Sequence, residues 1–344
     1  MDNFSALVRC KNIDLRSERE YAKGTIPGSV NIPILNNIEY DIVGKEYKKN
    51  GQDGAIKIGL ELVKDTVKES RISKWMDHIK NHPGCHIFCY RGGLRSKIAK
   101  EWISEYGIDI SRLSGGYKHF RSFIIDQHSV NSEYIKNWKI IGGLTGSRKT
   151  ILLNEFDESI DIENIANHRG SAFGSQATNQ PSQADFENLL TVQYLSHNYN
   201  NLILEDESRT IGKVALPPQW YDKMQRSSII VLNASIDERV NNIVQEYVLQ
   251  PIDNMISKND LLDKYLFSIQ KIKKRLGDEL FRSISTILHD SFSNDKIDSH
   301  EDWISKILIN YYDPMYKYKL EMRKKYIIHE GDYNSCLSFL QLDL

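Results

Sequence analysis

Cys89 is the first residue whose surroundings suggest chemistry. It closes the apolar run Cys85-His86-Ile87-Phe88-Cys89 and opens the segment Cys89-Tyr90-Arg91-Gly92-Gly93-Leu94-Arg95-Ser96. A short strand over 85–89 would deliver the thiol to a glycine-rich turn, with a helix following over 96–106. Successive backbone N–H groups in such a turn form an anion cradle, and a helix N-terminus adds partial positive charge. Arg91 and Arg95 bring further positive charge, while Gly92, Gly93 and Ser96 complete the anion loop. Together they favour Cys89 as a nucleophilic thiolate. Two plainer readings stand beside this one. Cys89 is then a packed strand residue, or it joins His78, His82 and Cys85 in a zinc site, with the two histidines sharing a helix face. Cys10, Cys85 and Cys336 read most simply as packing residues.

The second chemical segment is Gly143-Leu144-Thr145-Gly146-Ser147-Arg148-Lys149-Thr150. It follows the apolar strand expected over 139–141 and opens a helix expected over 149–156, the context that a phosphate-binding loop requires. The candidate phosphate ligands are Gly143, Thr145, Gly146, Ser147, Lys149 and Thr150. Lys149 would reach the terminal phosphate, and the Thr150 hydroxyl would sit on Mg²⁺. Position 148 is Arg where the common pattern has Gly; if it needs positive φ, the side chain costs about 1 kcal/mol. Glu205-Asp206-Glu207 ends the strand expected over 202–204, and Asp206 is the candidate Mg²⁺ carboxylate, against the plainer reading of a solvated acidic strand end. Asn167, His168 and Arg169 open a polar, glycine-punctuated loop that reads as a binding loop. Arg209 follows the acidic strand end, where it would also meet phosphate.

The elements that must position these residues alternate between strand and helix, which implies an α/β fold with parallel sheets. In the first part, residues 7–15 and 29–34 read as extended, 36–59 as a polar excursion and 60–81 as a helix. A polar stretch over 127–138 marks the boundary, giving domains 1–128 and 137–344. In the second part, 228–232 reads as a strand, and from 236 the pattern is mostly helical to the end. The length of 344 residues suits two domains. Four cysteines are too sparse for a disulfide scaffold, and no apolar run approaches the ~18 residues of a membrane span, so a cytoplasmic protein with no membrane partner is expected. The net charge of −1 gives no global pull toward nucleic acid. Local basic runs, Lys271 to Arg275 and Lys317 to Lys325, would meet an RNA backbone or simply face solvent.

The first part resembles the rhodanese superfamily. The resemblance rests on Ile13-Asp14-Leu15-Arg16, on Gly24-Thr25-Ile26-Pro27-Gly28-Ser29-Val30-Asn31-Ile32-Pro33, on the Cys89 loop and on Gly115-Gly116-Tyr117. The Cys89 loop is one residue longer than in common single-domain rhodaneses, and its Cys-x5-Arg-Ser spacing also matches tyrosine-phosphatase loops. The whole order resembles the bacterial tRNA 2-selenouridine synthase family: a rhodanese-like domain, then a P-loop NTPase-like α/β domain with a helical extension. Asn167–Gly174, Glu205–Gly212 and Tyr311–Tyr316 add to the two loops. The resemblance implies an enzyme that replaces the sulfur of wobble 2-thiouridine in tRNA with selenium from selenophosphate, through an S-geranylated intermediate made with geranyl diphosphate. It implies that Cys89 serves selenium transfer, as a perselenide carrier, and that the 143–150 loop holds the prenyl diphosphate. Selenophosphate synthase becomes an expected partner. Competing readings are a sulfurtransferase fused to an NTPase or kinase module, and a tRNA-binding protein with a decayed phosphate loop.

Overall fold

A computed structural model describes residues 7–128, 136–293 and 298–343. Residues 129–135, most of the expected boundary segment, lie outside the described residues. The chain forms two compact units: Met1–Asn131 with Pro181–His197, and Ser132–Gln180 with Asn198–Leu344.

In the first unit, β1 (Ile13–Asp14), β2 (Val30–Asn31), β3 (His86–Phe88) and β4 (Ser111–Arg112) form a parallel sheet in the order β2-β1-β3-β4. The strands are shorter than the sequence suggests: β1 begins only at Ile13, after a turn over residues 7–10, and ends on a buried charge. Asp14 takes two hydrogen bonds from Arg16 Nε, at 3.0 and 3.1 Å, and one from Arg16 Nη2 at 2.6 Å. Arg16 also donates to the Gly24 carbonyl at 2.7 Å and lies 3.9 Å from the centre of the Tyr117 ring. The Thr25 hydroxyl donates to Asp14 at 2.8 Å. A buried ion pair persists only when its remaining polar atoms are satisfied, as they are here. Ile13, Leu15, Trp75, Ile87, Ala99 and Ile103 fill the adjoining core.

The expected polar excursion over 36–59 is instead the greater part of a helix, Asn37–Leu62. Its glycines suggested a loop, but Asn36 and Glu39 close a capping box and the residues between the glycines are adequate helix formers. The helix breaks at Gly51, which takes φ 71° and ψ −161°. The helix expected over 60–81 divides accordingly: the first ends at Leu62 and a second runs Asp65–Asn81.

The helix Gln183–Ser196 falls, in chain order, inside the stretch expected to be the second domain, yet it packs on the first unit. Asp185 accepts from the Thr25 N–H at 2.7 Å, and Asn188 donates to the Thr25 carbonyl at 2.7 Å. Phe186 and Leu190 are fully buried, and Val192 packs against the cluster of Phe88, Phe120 and Ile124.

In the second unit, β5 (Asn137–Gly142), β6 (Ser159–Ile160) and β7 (Asn201–Glu205) precede a small antiparallel hairpin, β8 (Thr210–Ile211) with β9 (Val214–Ala215). With β10 (Ser228–Leu232) and β11 (Ile327–Gly331) they give a five-stranded parallel sheet in the order β11-β10-β5-β7-β6. Central β5 is buried from Trp138 to Gly142, as befits a parallel strand covered on both faces. Chain order reverses across β5, so a crevice opens beyond its C-terminal end. The helical region expected from 236 is present and has its own core around Tyr265, Ile284, Leu288 and Trp303. It is interrupted by π-helical turns at Val244–Leu249 and Leu308–Tyr312. The sequence reading missed β11, an edge strand whose residues are exposed or half-buried and carry no core-like run. Among the described residues no helix is long and apolar enough to cross a membrane.

The first unit therefore depends on a helix that lies far away in sequence. Burying its apolar face is worth several kcal/mol by area, so a fragment of residues 1–131 should melt about 10 °C or more below the same fragment carrying 181–197 on a flexible linker. Equal midpoints by circular dichroism would contradict this packing.

Candidate active site

The first unit brings the cysteine loop together as the sequence suggests. Cys89 follows β3 and is 3% exposed. Its thiol donates to the Ser96 hydroxyl at 3.4 Å, and that hydroxyl donates to the Gly93 carbonyl at 3.1 Å. Gly92 takes φ 64°, where a Cβ would collide with the Leu113 carbonyl at 2.7 Å. The turn Gly115-Gly116-Tyr117 supports the loop from beneath: the Tyr117 N–H donates to the Cys89 carbonyl at 3.0 Å, and a Cβ on Gly116 would lie 2.2 Å from that same oxygen. Gly93 caps the helix Leu94–Ser104, and Arg91 is exposed beside the turn. Arg95 does not stand free for an anion. It forms a two-pronged pair with Glu20, at 2.6 and 3.0 Å.

No zinc set forms around Cys89. His78 bonds the Lys11 carbonyl at 2.6 Å, Cys85 packs into the core, and Cys89 bonds Ser96. Cys336 is likewise buried, under β10 and β11.

The second unit forms the phosphate loop at the C-terminal end of β5. Gly143 and Gly146 take positive φ, and so does Arg148, at φ 65° and ψ 36°. Arg148 therefore sits in the left-handed conformation that glycine would adopt without penalty. Its side chain is accommodated because it is exposed. Lys149 Nζ donates to the Gly143 carbonyl at 3.1 Å, closing the loop on itself. Arg239 donates to the Thr145 carbonyl at 3.3 Å and Asn242 to the Gly146 carbonyl at 2.9 Å. The Ser147 hydroxyl is buried among the described residues with no partner.

The Gly143 N–H donates to the Tyr316 hydroxyl at 2.7 Å. That hydroxyl donates to Asp206 at 3.2 Å, and Asp206 also pairs with Arg323. Asp206, the expected Mg²⁺ ligand, is thus occupied behind the loop. The carboxylates that converge are Glu163, Glu205 and Glu207, with ligand oxygens within 4.8 Å of one another. Glu205 is 3% exposed and has one oxygen without a partner among the described residues, and the Thr150 hydroxyl beside it favours its charged form. Burial, then the charges of Glu207 and Glu205, push Glu163 up to about 10. Burial, then Glu205, push Glu207 up to about 7. Burial also raises Glu205, against the pull of Lys149. Three crowded carboxylates, an unpaired oxygen and a threonine hydroxyl fit a hard divalent cation, so Glu205, Glu163, Glu207 and Thr150 are the residues that could hold Mg²⁺.

A cavity of about 420 Å³ opens beside the loop, lined among others by Arg148, Thr150, Glu163, Asn167, His168 and Arg169. The polar loop is thereby brought to the phosphate loop. Arg169 pairs with Glu246 at 3.0 Å on the first π turn and covers the Tyr247 ring. Burial, with Lys271 and Lys264, holds His168 below the usual histidine range, hence neutral. Arg209 is exposed ahead of the β8–β9 hairpin, and the cavity walls do not include it.

The two sites define a two-module α/β protein, a cysteine-cradle unit of rhodanese type and a phosphate-loop unit. Residues 2–122 match the family described as "Rhodanese-like domain", and residues 136–343 match "tRNA 2-selenouridine synthase AAA domain". A tRNA 2-selenouridine synthase of Shewanella frigidimarina is 41% identical over 337 residues, covering 93% of this chain and 91% of that one. One of Nitrosomonas europaea is 38% identical over 376 residues, covering 99% and 97%. A solved N-terminal domain of a putative ATP/GTP binding protein from Clostridium difficile 630 is 33% identical, covers 34% of this chain and 91% of that chain, and superposes with a TM-score of 0.31. The chain belongs to the tRNA 2-selenouridine synthase family.

The glutamate cluster predicts a pH effect of definite sign. A carboxyl whose pKa rises on folding favours the folded state below its unfolded value, and that contribution is lost as pH rises through the folded value. With Glu207 at about 7 and Glu163 at about 10, metal-free protein should melt lower as pH is raised from about 5 to about 9. Mg²⁺ should restore the midpoint at the alkaline end, and Glu163→Gln should flatten the slope. A variant with the wild-type slope would contradict the cluster's assignment.

Proposed function

We propose that the chain converts wobble 2-thiouridine of tRNA into 2-selenouridine, in two steps divided between its two sites. In the first, the phosphate loop holds geranyl diphosphate. The thiocarbonyl sulfur attacks the geranyl carbon, the carbon–oxygen bond breaks, diphosphate leaves, and the nucleobase N3 gives up its proton. In the second, selenium from selenophosphate adds at the base carbon and geranylthiol leaves. Water takes the phosphoryl group, so that phosphate is released and N3 regains a proton. Alkylation turns a poor leaving group into a thiolate that departs readily.

The observation that carries this reading is the phosphate loop itself. Lys149 lies folded onto Gly143, and the buried Ser147 hydroxyl stands without a partner. Such a cradle binds and orients a diphosphate, and nothing in the first step requires NTP hydrolysis. Lys149, released from the Gly143 carbonyl, would meet the departing charge, and Mg²⁺, when bound at Thr150 and the glutamates, would neutralise more of it. In the second step Cys89 meets the selenium donor, its loop amides and the helix start at Leu94 favouring an anion. A cytoplasmic setting, and supply of the donor by selenophosphate synthase, belong to the same reading.

The test is to incubate the protein with 2-thiouridine-containing tRNA, geranyl diphosphate and selenophosphate, and to identify the nucleosides by mass spectrometry. Selenouridine should appear only with both donors. Lys149→Ala should slow geranylation by about 100-fold, in line with loss of one charge-stabilising donor. Cys89→Ser should keep geranylation and lose selenouridine. Selenouridine formed without geranyl diphosphate, or full geranylation by Lys149→Ala, would refute the two-step reading.

A further inference from the structure

The helix Asn37–Leu62 is folded into two legs at Gly51. Between these legs and the start of the helix Leu94–Ser104 lies a cavity of about 530 Å³. Val43, Ile56, Val63, Ile98 and Trp102 give it apolar walls. Leu94 and Arg95, which belong to the cysteine loop, close one side. The Arg95 charge is taken up by Glu20, so that wall offers hydrocarbon rather than a free cation.

Two features mark a ligand site and not a packing fault. Close-packed interiors do not leave apolar space of this size open, yet Leu60 and Leu94 at its edge are 43% and 41% exposed. Gly44 and Gly59 also line it, at helical positions where glycine weakens the helix. A Cβ on Gly44 would meet no atom within 4 Å. A Cβ on Gly59 would already touch Val43 at 3.5 Å, so of the two it is the exposed Gly44 that leaves room for a larger side chain.

We propose that this cavity binds the hydrocarbon chain of the S-alkylated 2-thiouridine, holding it beside the Cys89 loop for exchange of sulfur by selenium. The inference rests on the two-step function proposed above. Its occupant follows from the apolar walls, the neutralised arginine and continuity with the cysteine loop. Each buried methylene adds to affinity, so the chain and not the nucleoside should dominate binding here.

Isothermal titration of the full chain with S-geranyl-2-thiouridine and with S-methyl-2-thiouridine tests this. Both nucleosides are supplied ready-made, so the result does not depend on whether the protein makes the geranyl thioether. The wild type should bind the geranyl compound at least about tenfold more tightly. Gly44→Leu should reduce that preference to about threefold or less, with a thermal midpoint no lower than wild type because leucine favours the helix. Equal binding of the two nucleosides by the wild type, or an undiminished preference in Gly44→Leu, would overturn the proposal.

Discussion

The phosphate loop is anchored from behind by one hydrogen bond on which much else depends. The Gly143 N–H is given to the Tyr316 hydroxyl, and Tyr316 is itself held by Asp206, which Arg323 neutralises. Tyr316 comes this close because Gly142 carries no side chain: a Cβ there would stand 3.2 Å from the tyrosine oxygen. A second support comes from Arg239, which joins the Thr145 carbonyl to Asp313 through a buried ion pair. Both supports involve the segment after the π turn Leu308–Tyr312, where Asp313 and Tyr316 share a helix face at i and i+3. The helical extension therefore sets the shape of the phosphate site in addition to burying apolar surface.

The two units carry loops of similar construction. Each leaves the C-terminal end of a buried parallel strand, turns through at least one glycine at positive φ and enters a helix. Such turns gather N–H groups without side chains in the way, which suits anions of selenium and phosphorus alike. They differ in what stands beside the anion. Next to Cys89 there is a hydroxyl, and Arg95 is already paired with Glu20. Next to the phosphate loop there is a lysine and a crowd of carboxylates that favours a divalent cation.

Both loops were legible in the sequence because their residues are contiguous. The family resemblance was legible for the same reason. What the sequence hid was convergence from a distance. Glu163 reaches Glu205 and Glu207 only through the folding of the second unit, and no local spacing announces it. The sequence singled out Asp206, whereas the structure bonds it to Tyr316 and Arg323 and clusters its neighbours instead. Residues two apart on extended backbone share a side, so Glu205 and Glu207 face the loop together while Asp206 turns to Tyr316. The broken helix Asn37–Leu62 was obscured by its own glycines, and β11 by its exposed alternation. Whether position 148 needs positive φ was left open by the sequence, and the structure puts Arg148 at φ 65°.

The central claim is that the loop over 143–150 is a working diphosphate site shaped by Tyr316. Titration of inorganic diphosphate with Mg²⁺ into the full chain and into Tyr316→Phe tests it directly. The wild type should bind, and the variant should bind about tenfold more weakly, the worth of one hydrogen bond that fixes the loop. No binding by the wild type, or equal binding by the two, would contradict it.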